Sequence, residues 1–311
     1  MPLDSIKVLI TGGAGLVGSA ISTELHHQGG FQVVRPTSRE LNLLERDSVF
    51  QYVRRLRPQV VVHAATRSGG ILANTGNPAG NLSDNLRMQT NVLDSCHEHD
   101  VERCLYIASS RVYPQSTPQP VAARAFLQGP PPPGLEAYAV GKAAGVAHVR
   151  ALRQQFGRRY ISVAPCNLYG PGDNFSVPGA HVIPMLMKRM HEAVRDRSSR
   201  FTIYGSGKPL REFLYVADMA RACVAAIEKY DSDDLLNIGY GSEISIADLA
   251  SQIADVVGFD GAFDYDTDKP DGSPGLLLDS APLRSLGWQP GVDLNEGLRR
   301  TYDWFRDDQR V

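Results

Sequence analysis

The 311-residue sequence is short of several things, and each shortage excludes something. It has only four cysteines, Cys96, Cys104, Cys166 and Cys223, with no CxxC pair and no metal-ligand spacing with histidine. That spacing argues against a zinc site and against a disulfide framework, so no metal is expected and a reducing cytoplasm is the natural setting. An excess of one charge is also missing: 32 Lys plus Arg stand against 34 Asp plus Glu, a net charge of -2. Nothing in the bulk electrostatics points to nucleic acid or to an anionic membrane. No apolar run approaches the roughly 20 residues that span a bilayer. The opening MPLDSIKVLITGG has no basic stretch followed by an apolar segment and a cleavage site, so no secretory signal is expected. Repeats and low-complexity tracts are lacking too. What remains, 42% hydrophobic and 21% charged residues, is ordinary for a globular protein. The length suits one large domain, or a large one with a smaller partner.

The first half alternates short β-branched runs with amphipathic stretches. IKVLIT (6–11), FQVVR (31–35), VVVHAA (60–65), RCLYIAS (103–109) and RYISVA (159–164) read as strands. Helical spacing lies after 15, around 46–57 and 82–99, and over 138–156. Strands alternating with helices predict βαβ units and a parallel sheet. The proline-rich segment 114–135 interrupts the pattern and reads either as an ordered loop beside a site or as a plain surface loop. Beyond Pro165 the alternation becomes irregular, with helices near 181–196, 216–229 and 245–257, the last opened by Ser245 and Asp248 in capping-box spacing. The expected fold is α/β: a doubly wound parallel sheet of the Rossmann type over 1–165, and a smaller mixed α/β substrate-binding domain over 166–311 whose chain crosses back near 205–240.

TGGAGLVG (11–18) sets Gly12, Gly15 and Gly18 between the first strand and the first helix. Gly12 permits the tight turn, Gly15 lets backbone approach a pyrophosphate, and Gly18 lets helix and strand pack closely. The helix N-terminus then offers N–H groups to the phosphates. With its strand, its helix and the βαβ pattern that follows, this is a strong dinucleotide signature. At the end of the second strand, where an acid would bond the ribose of NAD, the chain has Arg35, Ser38 and Arg39, and the first acid is Glu40. Cations suit a 2′-phosphate, so NADP(H) is the expected cofactor; two merely solvated arginines are the alternative.

Tyr138 and Lys142 form Y-x-x-x-K on one face of a predicted helix. A nearby ammonium favours the tyrosinate and is expected to lower the tyrosine pKa from about 10, which suits a general acid. Ser109 and Ser110, at a strand end, are placed to bond a substrate carbonyl.

Glycine triplet, Ser and Tyr/Lys in this order resemble the extended short-chain dehydrogenase/reductases. RELNLLERDSV, GGILAN, SSRVYP, AYAVGKAAG, NLYGPGDNF, HVIPMLMKRMHEA, YGSGKPLREFLYVADMA and KPDGSPGLLLD narrow the resemblance to the GDP-L-fucose synthase family, the GDP-4-keto-6-deoxy-D-mannose 3,5-epimerase/4-reductases. These blocks run over nearly the whole chain. The resemblance implies NADPH, a homodimer, a cytoplasmic enzyme, and a nucleotide sugar that is epimerised at C3 and C5 and reduced at C4. It makes Tyr138 the proton donor to O4, Lys142 the residue that holds the nicotinamide ribose, Ser109 a ligand of O4, and His181 the acid of epimerisation. Around the cofactor it places Leu16, Val17, Ala64, Ala65, Pro165, Asn167, Leu168 and His181 beside the glycines. Around the substrate it places Ser110, Arg111, Tyr138, Asn167, Lys188, Arg189, Tyr204 and Arg211.

Three departures matter. The family has Cys where this chain has Arg111, and an arginine cannot act as the base that epimerisation needs. Arg111 is instead suited to stabilising an enolate or binding a sugar hydroxyl. Gly275 and Leu276 replace basic residues of the family, and Ala14 stands where some members have Arg. His181 then reads either as an acid/base or as a hydroxyl ligand. A C4 reductase without epimerisation is the leading expectation, with a full 3,5-epimerase/4-reductase and a non-catalytic NADP-sensing protein as alternatives. A 4,6-dehydratase fits less well, because its acidic pair is replaced by Ser110–Arg111.

Overall fold

The structure is a computed structural model that describes residues 5–68, 76–176, 180–269, 271 and 275–308. The GGILAN stretch lies outside the described residues. The strands are β1 (Ile6–Thr11), β2 (Phe31–Val34), β3 (Val60–His63), β4 (Arg103–Ile107), β5 (Arg159–Pro165), β6 (Asn167–Tyr169), β7 (Arg200–Tyr204), β8 (Leu210–Arg211), β9 (Phe213–Tyr215), β10 (Leu236–Ile238), β11 (Ile244–Ser245) and β12 (Ala262–Asp266). The helices are α1 (Leu16–Gln28), α2 (Arg46–Leu56), α3 (Pro78–Glu98), α4 (Glu136–Phe156), α5 (Val182–Arg195), α6 (Val216–Lys229), α7 (Ile246–Val257), α8 (Ala281–Ser285) and α9 (Leu294–Asp308). No helix among the described residues is long and apolar enough to cross a membrane.

Six strands make one sheet in the order β2-β1-β3-β4-β5-β10, every pair parallel. Parallel strands are covered on both faces, which is why β3 and β4 are buried along their whole length. Helices α2, α3 and α4 pack together on one face, and α1 packs on α6 on the other, so the sheet is doubly wound. The chain leaves β1 in one direction to β2 and then returns to place β3 on the other side of β1. That reversal is the switch point where such folds open a crevice at the carboxyl ends of the strands.

Helix limits follow local chemistry. Asn77 caps α3 by accepting from the Gly80 N–H, with Pro78 at the first position. Gly157, at φ +66°, closes α4 in the left-handed conformation. Ser245 caps α7 by accepting from the Asp248 N–H at 3.0 Å, and its own hydroxyl donates to the Asp248 carboxylate. The strands at 31–34, 60–63 and 103–107 end one or two residues before the sequence suggests. Ala64 and Ala65, and Ala108 and Ser109, leave the sheet there to line its carboxyl edge.

Buried apolar side chains fall into two clusters. The larger surrounds the six-stranded sheet and includes late residues: Leu214, Ile227, Leu236, Ile238, Leu276, Leu278, Leu283 and Trp288. The smaller joins α5, α7 and α9 through Leu186, Met187, Met190, Ile253, Leu298 and Phe305. The proline-rich segment 114–135 is anchored: Val121 is fully buried and bridges Leu278, and Phe126 is buried as well.

Candidate active site

The crevice starts at the turn after β1. Gly12 has φ +73°, and a Cβ there would come within 2.6 Å of the Ala65 nitrogen, so only glycine lets the turn after β1 meet the turn after β3. A Cβ at Gly18 would overlap the Gly12 carbonyl oxygen. At Gly15 it would meet nothing nearer than that same oxygen at 3.5 Å, so this glycine keeps an open approach rather than a packed one. Gly15 caps α1 without a side-chain cap, and the first turn holds no acid, which leaves the N–H groups around Leu16 and Val17 uncompensated. The turn is thus a cradle for a phosphate.

At the outer end of this turn Arg35 donates to the Gly13 carbonyl at 3.4 Å. A cavity of about 360 Å³ opens beside it, lined by Ser22, Thr23, His26, His27 and Arg35. Ser38 and Arg39 are exposed in the following loop. Glu40 is engaged locally: its carboxylate accepts from the Thr37 N–H and hydroxyl at 2.8 and 2.9 Å, which hold its pKa below the ordinary value. The first acid after β2 is therefore tied to its own turn.

The catalytic candidates converge beyond the end of β4. Ser109 caps a short 3-10 turn, Ser110–Val112, by accepting from the Arg111 N–H at 3.2 Å, and α4 packs against that turn. This brings Tyr138, in the first turn of α4, to the Ser109 hydroxyl, which lies against the phenol. Burial raises the Tyr138 pKa, and Ser109 and then the Arg111 guanidinium pull it back. Here the sequence expectation needs correcting. A downward shift was expected, but burial outweighs the groups that favour the tyrosinate and the net direction is upward.

Lys142 is buried one turn further along α4. Its ammonium donates to the Ile107 carbonyl at 2.8 Å and lies over the Tyr106 ring, 5.4 Å from the centroid. Burial brings its pKa down to about 8. A hydrogen-bonded cradle stands behind it. Tyr106 donates to the Gln89 carbonyl oxygen at 2.7 Å, and Gln89 donates to the Gly141 carbonyl at 2.9 Å. His63 is buried, stacked on Tyr106 and 2.8 Å from the Thr11 hydroxyl, and burial together with Lys142 lowers its pKa to about 3. Gln89 and Tyr106 are absent from the sequence expectations. Their signal was a polar residue on the buried stripe of a helix and a tyrosine inside a core strand.

The remaining candidates are spread more widely. Ser110 is buried. Pro165 ends β5, and Asn167 begins β6, where its amide donates to the Glu212 carbonyl at 2.9 Å. Leu168 packs on the larger core. Arg211 is pushed below the usual arginine range by burial and by Arg111, with Glu243 and Asp271 opposing. Arg189 stacks on Phe201 and Tyr204 at 4.8 and 4.4 Å and donates to the Thr202 carbonyl at 2.8 Å; its second nitrogen is buried without a partner. Tyr204 is exposed, and Lys188 is half-buried. His181 is exposed at the head of α5, where its charge acts on the buried Asp173 carboxylate, whose Oδ2 lacks a partner. Asp173 also escaped the sequence reading, since a turn through Gly170 and Gly172 is what carries it opposite His181.

Gly275 and Leu276 face inward. A Cβ at Gly275 would overlap Glu243 and the Leu210 carbonyl, and Leu276 is part of the larger core. Cys166 is buried, and burial pushes its thiol well up, which fits a packing role.

Comparison with known proteins agrees with this geometry. The model of the NAD dependent epimerase/dehydratase family matches residues 8–239. The chain is 44% identical to GDP-L-fucose synthase 1 of Arabidopsis thaliana over 97% of this chain and 93% of the relative. It is 40% identical to GDP-L-fucose synthase of Escherichia coli (strain K12), over 97% of each. A crystal structure of a GDP-L-fucose synthetase from Naegleria fowleri bound to NADP superposes with a TM-score of 0.91 at 29% identity, covering 99% of this chain and 95% of that one. The parallel sheet with its glycine cradle, the Ser109–Tyr138–Lys142 grouping and this likeness over the full length lead to one conclusion: the chain belongs to the GDP-L-fucose synthase family of NAD-dependent epimerases/dehydratases.

Proposed function

We propose that this protein uses NADPH to reduce the C4 ketone of a GDP-linked 4-keto-6-deoxy sugar, without epimerisation through position 111. The broader activity, NADPH-dependent transformation of a GDP sugar, rests on the family. The finer reading rests chiefly on one observation: Tyr138 and Ser109 share one polar contact at the carboxyl edge of the sheet, beside a buried Lys142.

The residues present fit the cofactor. Gly12, Gly15 and Gly18 leave backbone room for the pyrophosphate, and Arg35, beside that turn, is a cation suited to a 2′-phosphate. NADPH, when bound, supplies the hydride. Ser109 and Tyr138 hold the ketone oxygen, and the Tyr138 proton passes to that oxygen as the carbonyl is reduced. Lys142 keeps a cation beside the nicotinamide ribose. Arg189, Tyr204 and Arg211 form the substrate side, toward the GDP. Arg111 has no proton it can give up near neutrality, so it cannot serve as a carbon base.

Incubation with GDP-4-keto-6-deoxy-mannose in D2O, with and without NADPH, tests this. Oxidation of NADPH without deuterium at C3 or C5 is the expected result. Deuterium at both carbons selects a second reading, the full 3,5-epimerase/4-reductase. A buried carboxylate, Asp173, within electrostatic reach of His181 favours that reading. Cofactor binding with no turnover would select a non-catalytic NADP sensor.

The same proposal treats 1–165 as the cofactor unit and 166–311 as the substrate unit. It makes the protein a homodimer through α3 and α4, on which Val140 is exposed. Its four buried, unpaired thiols suit the cytoplasm.

A further inference from the structure

We propose that Glu212 is a positioning residue for the substrate: its buried carboxylate ties the segments that carry Arg211, Asn167 and residues 275–279 into one frame, and the nucleotide sugar binds the frame that the ionised carboxylate makes. The inference rests on the reading of Arg211 and Asn167 as substrate-side residues and adds to it the group that sets them in place.

Glu212 lies between β8 and β9, directly after Arg211, and is fully buried. Its two oxygens serve different segments. One accepts from the Gly241 N–H at 2.7 Å and the other from the Leu278 N–H at 3.1 Å. Its main-chain carbonyl accepts from the Asn167 amide at 2.9 Å and from the Asn167 N–H at 3.3 Å. One residue thus joins β8, β6, the loop after β10 and the segment before α8. The chain makes room for this carboxylate. A Cβ at Gly239 would come within 2.5 Å of Glu212 Oε1, and Gly239 has no positive φ that would call for glycine on other grounds.

The frame extends to the ketone end of the site. Gln119 donates to the Gly275 carbonyl at 2.9 Å and accepts from the Leu277 N–H at 2.8 Å. Val121 donates to the Leu277 carbonyl at 2.8 Å and accepts from the Asp279 N–H at 3.0 Å. This strap runs back to Tyr113, whose hydroxyl donates to Asn237 Oδ1 at 2.6 Å, while the Asn237 amide donates to the Val121 carbonyl at 2.7 Å. Tyr113 directly follows the short turn that Ser109 caps. A substrate gripped at Arg211 and at Ser109 is therefore gripped by parts that Glu212 fastens together, and misplacement of such parts by about 1 Å is enough to cost binding and rate.

Both carboxylate oxygens already accept from an N–H. A proton on either one sets O–H against N–H and releases one of the two ties. Among the groups around it, Glu243, just before β11, raises its pKa, and the Cys166 thiol, between β5 and β6, is itself pushed well up by burial and by Glu212. Arg211, the adjacent cation, donates to the Leu210 carbonyl at 2.6 Å. Burial prevails over the two N–H donors, and the carboxyl titrates at about 6.

The test uses GDP-mannose, whose pyrophosphate diester keeps its charge across the range, and the full chain saturated with NADP+. Isothermal titration between about pH 8 and pH 5 is expected to show wild-type affinity falling about tenfold toward acid, the loss that one proton taken up at about 6 imposes. Glu212→Gln is expected to bind GDP-mannose about tenfold or more weakly at the alkaline end, to lose the pH dependence, and to keep NADP+ affinity within about twofold. In wild-type protein labelled with 15N-glycine and 15N-leucine, the Gly241 and Leu278 amide resonances are expected to move together with the same midpoint. A folded Glu212→Gln protein that binds GDP-mannose like wild type overturns the inference. So does an unchanged wild-type affinity while the two amides titrate, and so do amides that do not titrate in this range. Should Glu212→Gln fail to fold, the wild type decides: amides and affinity sharing one midpoint support the inference, and separate midpoints overturn it. Wild type that binds no GDP-mannose at any pH marks the failure of the substrate reading itself, and the inference falls with it.

Discussion

Lys142 donates to the carbonyl oxygen of Ile107 at 2.8 Å, and Ile107 is the last residue of the strand that leads to Ser109. The two halves of the candidate catalytic set, one on β4 and one on α4, are thereby joined by a buried charge-assisted hydrogen bond. Tyr106 and Gln89 brace the same junction from behind.

Substitution of Tyr138 by Phe should leave the fold intact and lower kcat for the ketone by about 10²- to 10⁴-fold, the usual worth of a positioned general acid. Steady-state kinetics together with a thermal melt separates this from unfolding. Retention of full activity would remove Tyr138 from the mechanism.

Lys142 is a buried cation whose folded pKa, about 8, lies below its ordinary value of 10.5. The native chain holds fewer protons than the unfolded one between those values, so this group's contribution to stability rises with pH through that window. Lys142→Met is therefore expected to hold or raise the melting temperature at neutral pH while activity falls about 100-fold or more. Calorimetry beside kinetics checks both signs.

The glycines of the first turn should divide into two kinds. Gly18→Ala places a Cβ against the Gly12 carbonyl and should lower both stability and NADPH affinity. Gly15→Ala has 3.5 Å of room and should melt like the wild type while losing at least about tenfold in cofactor affinity, because the crowding appears only when the pyrophosphate is present. Isothermal titration with NADPH and thermal denaturation distinguish them. Equal melting losses in both variants would contradict the geometry.

Glu212 is fully buried, and its two oxygens accept separately from the Gly241 N–H at 2.7 Å and the Leu278 N–H at 3.1 Å. Burial raises its pKa from 4.5 to about 6. The native chain binds the extra proton in that window, so stability from this group is greatest on the acid side and falls by about 2 kcal/mol as pH rises through it. Glu212→Gln should abolish this slope. It also turns an amide NH2 toward a backbone N–H, at a cost of about 1–3 kcal/mol. Urea denaturation across that pH range, compared between wild type and variant, isolates the difference.

How much of this was legible beforehand depended on how local the cause was. The β1–α1 turn was readable because its glycine spacing is a local pattern: Gly15 and Gly18 answer to atoms of the turn itself, although Gly12 also answers to the distant Ala65. Helix α4 was readable from its apolar period, and the spacing of Tyr138 and Lys142 gave their shared face. The short strands β8, β10 and β11, of two or three residues, carry no periodic signal, and their partners lie far along the chain. The charge relations at the site were the least visible. Whether an ammonium reaches a phenol or a strand-end carbonyl depends on how deeply α4 sits against β4, and Tyr106 with Gln89 sets that depth. The opposition of Asp173 and His181 depends on a turn whose path no spacing rule gives.

The larger core also draws on chain synthesised late: β10, and then Leu276 through Trp288. A ribosome that has made only β1 to β5 has released an unfinished sheet whose outer edge lies bare. At about 5–20 residues per second, several seconds pass before position 288 is made and the edge can be covered. Severing the chain after residue 165 would leave that edge open permanently. The amino-terminal part is thus expected to aggregate when expressed alone and to recover solubility when the remainder is supplied beside it, a dependence built into the order in which the polypeptide is made.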